Sequence, residues 1–171
     1  MKKNILLFVT ILVSGYAIII FGSQSSNSDA IKTFEQNTKT MDILFESYAK
    51  ESVDYSQFAD EVIFKGTTVG SNDSLNLSEI KAIHQDFFSK YDVKYLAPKQ
   101  YLTGVNADTG QTDGSVRMYY DMEVTLSATD STDAKSVVVP IYESFDFNEQ
   151  GKAIYVQWYC DWTGHLAYLD K

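Results

Sequence analysis

Glu143 is the one acid in the row Val137-Val139-Ile141-Glu143-Phe145, whose other members are all apolar. Enclosed with those neighbours, a carboxyl loses hydration, its pKa rises, and it becomes suited to general-acid or general-base work. The competing reading is a strand edge or bulge that leaves Glu143 in water, and the strand pattern alone favours that one. His84 sits on the apolar face of LNLSEIKAIHQDFFSKY, one helical turn from Ile80 and from Phe87-Phe88. It could meet Glu143 across a cavity as an acid/base partner, although a histidine held by one structural hydrogen bond is the commoner case. Tyr120 stands on another apolar row, where its hydroxyl could bond a ligand carbonyl or the ring could simply pack. Cys160 reads as a small buried hydrophobe rather than a nucleophile, and His165, in the C-terminal tail, as solvated. Two isolated histidines, one cysteine and no Gly-rich strand-to-helix turn supply neither a metal site nor a phosphate loop, and no cofactor is expected.

Positioning these side chains falls to a hairpin, a long strand and a helix. Val137 to Leu169 reads as two strands joined by the turn Asn148-Glu149-Gln150-Gly151, followed by a short tail. Val137, Val139, Ile141, Phe145 and Phe147 alternate with polar or exposed positions, as do Ile154, Val156, Trp158, Cys160 and Trp162; a strand with one buried face requires that period. Ser115 to Ala128 repeats it with Val116, Met118, Tyr120, Met122, Val124 and Leu126 on one side. The helix at Leu75–Tyr91 carries Leu77, Ile80, Ile83, His84, Phe87 and Tyr91 on one face, with Asn76 or Ser78 as its cap. Ahead of it, Ile31, Phe34, Met41, Leu44, Phe45 and Tyr48 form the stripe of an earlier helix capped by Asp29. Asp54–Glu61 is expected to be a short helix, Val62–Val69 a strand entering the Gly70–Asp73 turn, and Val93–Val105 extended. Helices on one face of a long antiparallel sheet make an α+β layer, and strands of this length curl, leaving a cavity beneath them.

The chain of 171 residues is one domain's worth, with a formal charge of −9 that argues against nucleic acid and anionic headgroups as partners. Its lone cysteine excludes an internal disulfide. Residues 1–22 read as a targeting segment: Met1-Lys2-Lys3-Asn4 is basic and Ile5–Gly22 almost wholly apolar. That is either a cleaved signal, with Gly15-Tyr16-Ala17 as its site, or a retained anchor at the short end of a membrane span. Either way the protein is exported or membrane-anchored, and it touches a membrane only through this segment if the segment is uncleaved. Residues 23–29 are a polar linker, and residues 30–171 form the folded domain.

Helix order, strand lengths and the run Phe145-Asp146-Phe147, Gly151-Lys152, Tyr159-Cys160-Asp161 resemble the NTF2-like superfamily and, within it, the SnoaL-like group. The resemblance spans Ile31 to Leu169. It implies a cone-shaped α+β barrel with a hydrophobic pocket and a homodimer formed through the sheet. It also implies a choice among cyclases, isomerases, dehydratases, epoxide hydrolases and proteins without chemistry, so fold does not choose function. Limonene-epoxide hydrolases carry W-R-D-Y-F-D where this chain has Val156–Asp161. Their arginine falls at Gln157 and their inner aspartate at Trp158, so that activity is not carried over; Asp161 is kept for a structural or dimer role. If the apolar rows face inward, Tyr120, Met122, Phe145, Trp158 and Cys160 line the pocket with Phe87. Three functions follow: a module that binds a small hydrophobic molecule, a SnoaL-like enzyme moving protons with Glu143 and His84, or an interaction domain using its sheet face.

Overall fold

The computed structural model describes residues 28–67, 74–96, 99–130 and 132–171. The expected targeting segment, most of the linker and the turn at Gly70–Asp73 lie outside the described residues. Residues 28 and 29 are already helical, so Asp29 is an internal position of the first helix, where its carbonyl accepts from the Thr33 hydroxyl at 3.0 Å. This helix, α1 (28–49), buries Met41, Leu44 and Phe45 and leaves Ile31, the first residue of its stripe, exposed. Asn37 is buried beside that stripe, and its side-chain amide donates to the Gly114 carbonyl at 2.9 Å.

Asp54–Glu61 is not a helix. Asp54 caps one 3-10 turn, Tyr55–Gln57, and strand β1 then runs Phe58–Lys65. A local helical preference gives way here to pairing with a distant strand, a contact no local pattern records. Asn76 closes a capping box at the start of α2 (Leu77–Phe88): its side chain accepts from Ser78 and Glu79 amides, and the Glu79 carboxylate accepts from the Asn76 amide. The extended stretch after α2 splits into β2 (Tyr91–Tyr95) and β3 (Gln100–Val105), which pair with the two halves of the 15-residue β4 (Thr112–Leu126). Strands β5 (Lys135–Phe147) and β6 (Ala153–Tyr159) form the expected hairpin, and Gly151 takes φ +72 in its turn, a conformation glycine adopts without strain. The tail is a helix, α3 (Trp162–Leu169), with Asp161 as its cap.

The strand order is β1-β6-β5-β4-β2, with β3 also on β4. β1 runs parallel to β6, so the sheet is mixed rather than purely antiparallel, and it curves around α1 in an α+β cone. The core is the inner face of β4 and β5 (Val116, Met118, Met122, Val124, Val139, Ile141, Phe145) packed on α1. A register shift beside Phe147 changes the phase of β6, which is why Ala153 rather than Ile154 is fully buried before Val156 and Trp158 resume the inward row.

Candidate functional site

A cavity of about 380 Å³ lies between the sheet, α1, α2 and α3. Its presence explains a feature of α2: only Ile80 is fully buried there, because Ile83, His84 and Phe87 line open space rather than a packed core. Apolar side chains make most of the wall, and among the described residues Glu143 is the only acid in it. Tyr120, Met122, Phe145, Trp158 and Phe87 all line this space, as do both candidate titratable residues. Cys160 does not; it is part-buried at the end of β6, and burial pushes its thiol up to about 12.

Glu143 owes its place to topology. It sits on β5, which is flanked on both sides, opposite Met118 of β4 and Trp158 of β6. It is therefore neither on an edge nor at a bulge, and the surface it retains is in the cavity wall. Desolvation raises its pKa from 4.5 to about 7, and a hydrogen bond from the Tyr120 hydroxyl opposes that rise. Tyr48 of α1 and Tyr95 of β2 stand close by. Burial first, and then in each case the Glu143 charge among other neighbours, holds both phenols well above their ordinary range, so they remain neutral. Among the described residues neither hydroxyl has a hydrogen-bond partner. Tyr120 packs edge-on against both Phe45 and Tyr95, with centroids 4.9 and 5.4 Å away.

His84 faces the same cavity from α2 but is engaged elsewhere. Its Nδ1 shares a 3.0 Å hydrogen bond with the Tyr55 hydroxyl, and the rings of Tyr48, Tyr55 and Phe88 surround it. Desolvation depresses its pKa to about 4, so it is neutral at pH 7. His165 lies in α3, with its Nδ1 2.6 Å from the Asp161 carbonyl. Trp158 brings its indole edge against Gly66, where a Cβ would approach ring atoms to 2.7 Å. Its Nε1 is the one buried side-chain nitrogen or oxygen without a partner among the described residues. Among those residues no cluster of three His, Cys, Asp or Glu side chains offers a metal-ligand set.

Sequence reasoning passed over Tyr95, Tyr55 and Gly66. Tyr95 had a signal in the alternation Tyr91-Val93-Tyr95; Tyr55 and Gly66 had none, because their partners lie 29 and 92 residues away.

No protein-family model matches the sequence, and no curated protein matches it either. Solved structures do. A candidate polyketide cyclase from Xanthomonas campestris pv. campestris superposes with a TM-score of 0.60 at 17% identity, over 80% of this chain and 98% of its own. An NTF2-like protein from Burkholderia xenovorans LB400 gives 0.59 at 11% identity, over 80% and 97%. An LEH-like epoxide hydrolase from M. tuberculosis gives 0.52 at 9% identity, over 79% and 85%. These likenesses establish the fold, an NTF2-like α+β cone, and nothing of the chemistry.

Proposed function

We propose that this protein binds a small, largely apolar molecule in its cone. The observation that carries the reading is the cavity itself: about 380 Å³, walled by aromatic and aliphatic side chains, with polar groups gathered around Glu143. Had Trp158, Phe145 and Tyr120 filled the cone, only an interaction surface would remain. Both tryptophans of the chain line the cavity, so its ligand has two built-in reporters. Titration with terpenoids and steroids is expected to change tryptophan fluorescence, and Trp158→Phe to remove most of that change. A broad panel without any response would end this reading.

A second reading, proton transfer on the bound molecule, rests on Glu143 alone. A carboxyl with a pKa near 7 hydrogen-bonded by Tyr120 is matched to general-base work at neutral pH, whereas His84, neutral and bonded to Tyr55, contributes orientation rather than a proton. The proposal extends to location. Lys2-Lys3 followed by the apolar run Ile5–Gly22 supports delivery across or onto a membrane. A C-terminal tag found mainly in the soluble cytoplasmic fraction would rule that out. Pairing through the outer face of the sheet, where Tyr119, Tyr142 and Tyr159 stand in a row, belongs to the same proposal; sedimentation of the purified domain as a monomer would remove it.

A further inference from the structure

We propose that the cavity selects an uncharged ligand with a hydroxyl head, which donates to the Glu143 carboxylate and accepts from the Tyr48 or Tyr95 hydroxyl, and that it refuses the carboxylate of the same skeleton. This rests on the ligand-binding reading above and specifies the ligand's polar end.

Charge decides the first half. Among the described residues, no lysine or arginine lines the cavity. Two lysines outside it are engaged by the protein: Lys99 pairs with Asp42 at 2.8 Å and lies over the Phe45 ring, while Lys81 lies over the Tyr55 ring. A carboxylate entering this space would meet Glu143 with no counter-charge, and two desolvated carboxylates side by side cannot both stay ionised. An ammonium would have Glu143 as a counter-ion, but it would bring its own desolvation cost, which a buried pair recovers only with excellent geometry and further hydrogen bonds.

Hydrogen-bond accounting decides the second half. Tyr120 takes up part of the accepting capacity of Glu143, leaving the rest open toward the cavity. Tyr48 and Tyr95 line the same space, feel the Glu143 charge, and have hydroxyls without a partner among the described residues. The groups facing Glu143 are therefore three neutral phenols from α1, β2 and β4, with the Cys160 thiol beyond β6 also close enough to feel its charge and the neutral His84 on α2. A hydroxyl is the smallest group that donates and accepts at once, so it satisfies the carboxylate and one phenol together. A pure hydrocarbon satisfies neither and leaves both desolvated.

The test is a matched set of one skeleton: geraniol, geranic acid, geranylamine and the corresponding hydrocarbon, each titrated into the full-length chain at pH 8 with tryptophan emission as the readout. Geraniol is expected to bind at least tenfold tighter than each of the other three. Glu143→Gln should raise the affinity for geranic acid about tenfold by removing the repulsion. The double variant Tyr48→Phe with Tyr95→Phe should cut the advantage of geraniol over the hydrocarbon to less than threefold. Equal or tighter binding of the acid, the amine or the hydrocarbon would overturn the head-group assignment and leave the cavity reading intact. Failure of all four to bind would remove the cavity reading and this inference with it.

Discussion

Glu143 and His84 stand at two sides of one cavity, each set in a largely apolar row, and burial moves them in opposite directions. Loss of hydration disfavours charge in both, which raises the acid to about 7 and lowers the base to about 4. Their surroundings differ more than their burial does. Glu143 has one donor from Tyr120 and two unpartnered phenols nearby, so its environment is open to a ligand. His84 has its Nδ1 committed to Tyr55 and aromatic rings on three sides, so its environment is largely closed by the protein itself. Similar desolvation thus yields one side able to receive a molecule and one that mainly holds shape.

The largest effect should come from breaking the wall beside Glu143. Phe145→Ala removes a buried ring from the inner row and is expected to cost about 3–5 kcal/mol in urea unfolding. It should also admit water and bring the Glu143 pKa back toward the ordinary carboxylate range. Gln157→Ala, on the outer row, loses only a 3.2 Å bond from the Tyr155 hydroxyl and should fall within roughly 0.5–1 kcal/mol. Equal losses for the two would invalidate the assignment of inner and outer faces.

Next comes the titration of the pair. Between pH 4.5 and about 7 the folded chain keeps a proton on Glu143 that the unfolded chain has released, so this group's stability contribution is full below 4.5 and is lost as pH rises through 7. Between about 4 and 6.5 the unfolded chain protonates His84 while the folded chain does not, so this contribution is present above 6.5 and is lost as pH falls through 4. The slopes oppose each other from 4.5 to 6.5 and largely cancel. Glu143→Gln should therefore raise stability at pH 8 by up to about 3 kcal/mol, change it little at pH 4.5, and expose a curve that climbs from pH 4 to 6.5. A variant whose pH profile parallels the parent would show that Glu143 is hydrated in the folded chain.

The sequence makes parts of this comparison readable and hides others for physical reasons. The inner rows of β4 and β5 follow from period-2 alternation, and the apolar face of α2 from its 3.6-residue period, so Tyr120, Glu143, Phe145, His84 and Phe87 could be placed on inward faces. Whether Glu143 is wet or dry depends on β5 lying between β4 and β6, a fact of strand order that no local pattern contains. The strand expected from Val62 in fact begins at Phe58, and its first half was hidden because its partner is β6, close to the other end of the domain. Phenols from α1, β2 and β4 converge only once the sheet curls, so Tyr48 read as one more residue of a stripe. Trp162 and Leu166 reach the cavity from a helix that alternation misread as strand followed by tail.

The smallest expected effect separates two reasons for the neutrality of His84. Burial alone could hold its pKa near 4, or the bond to Tyr55 could be needed to keep the ring in the apolar layer. Tyr55→Phe keeps the ring that stacks at 5.9 Å on the imidazole and removes only the hydroxyl. Loss of one part-buried hydrogen bond is expected to cost about 1 kcal/mol. Desolvation is the cause of the depressed pKa, so that loss should be nearly the same at every pH, and the rise in stability between pH 4 and 6.5 seen in the Glu143→Gln background should survive. If the rise disappears in the double variant, the imidazole has swung toward water once released from Tyr55. The hydroxyl, rather than the aromatic rings around His84, would then be what keeps that side of the cavity closed.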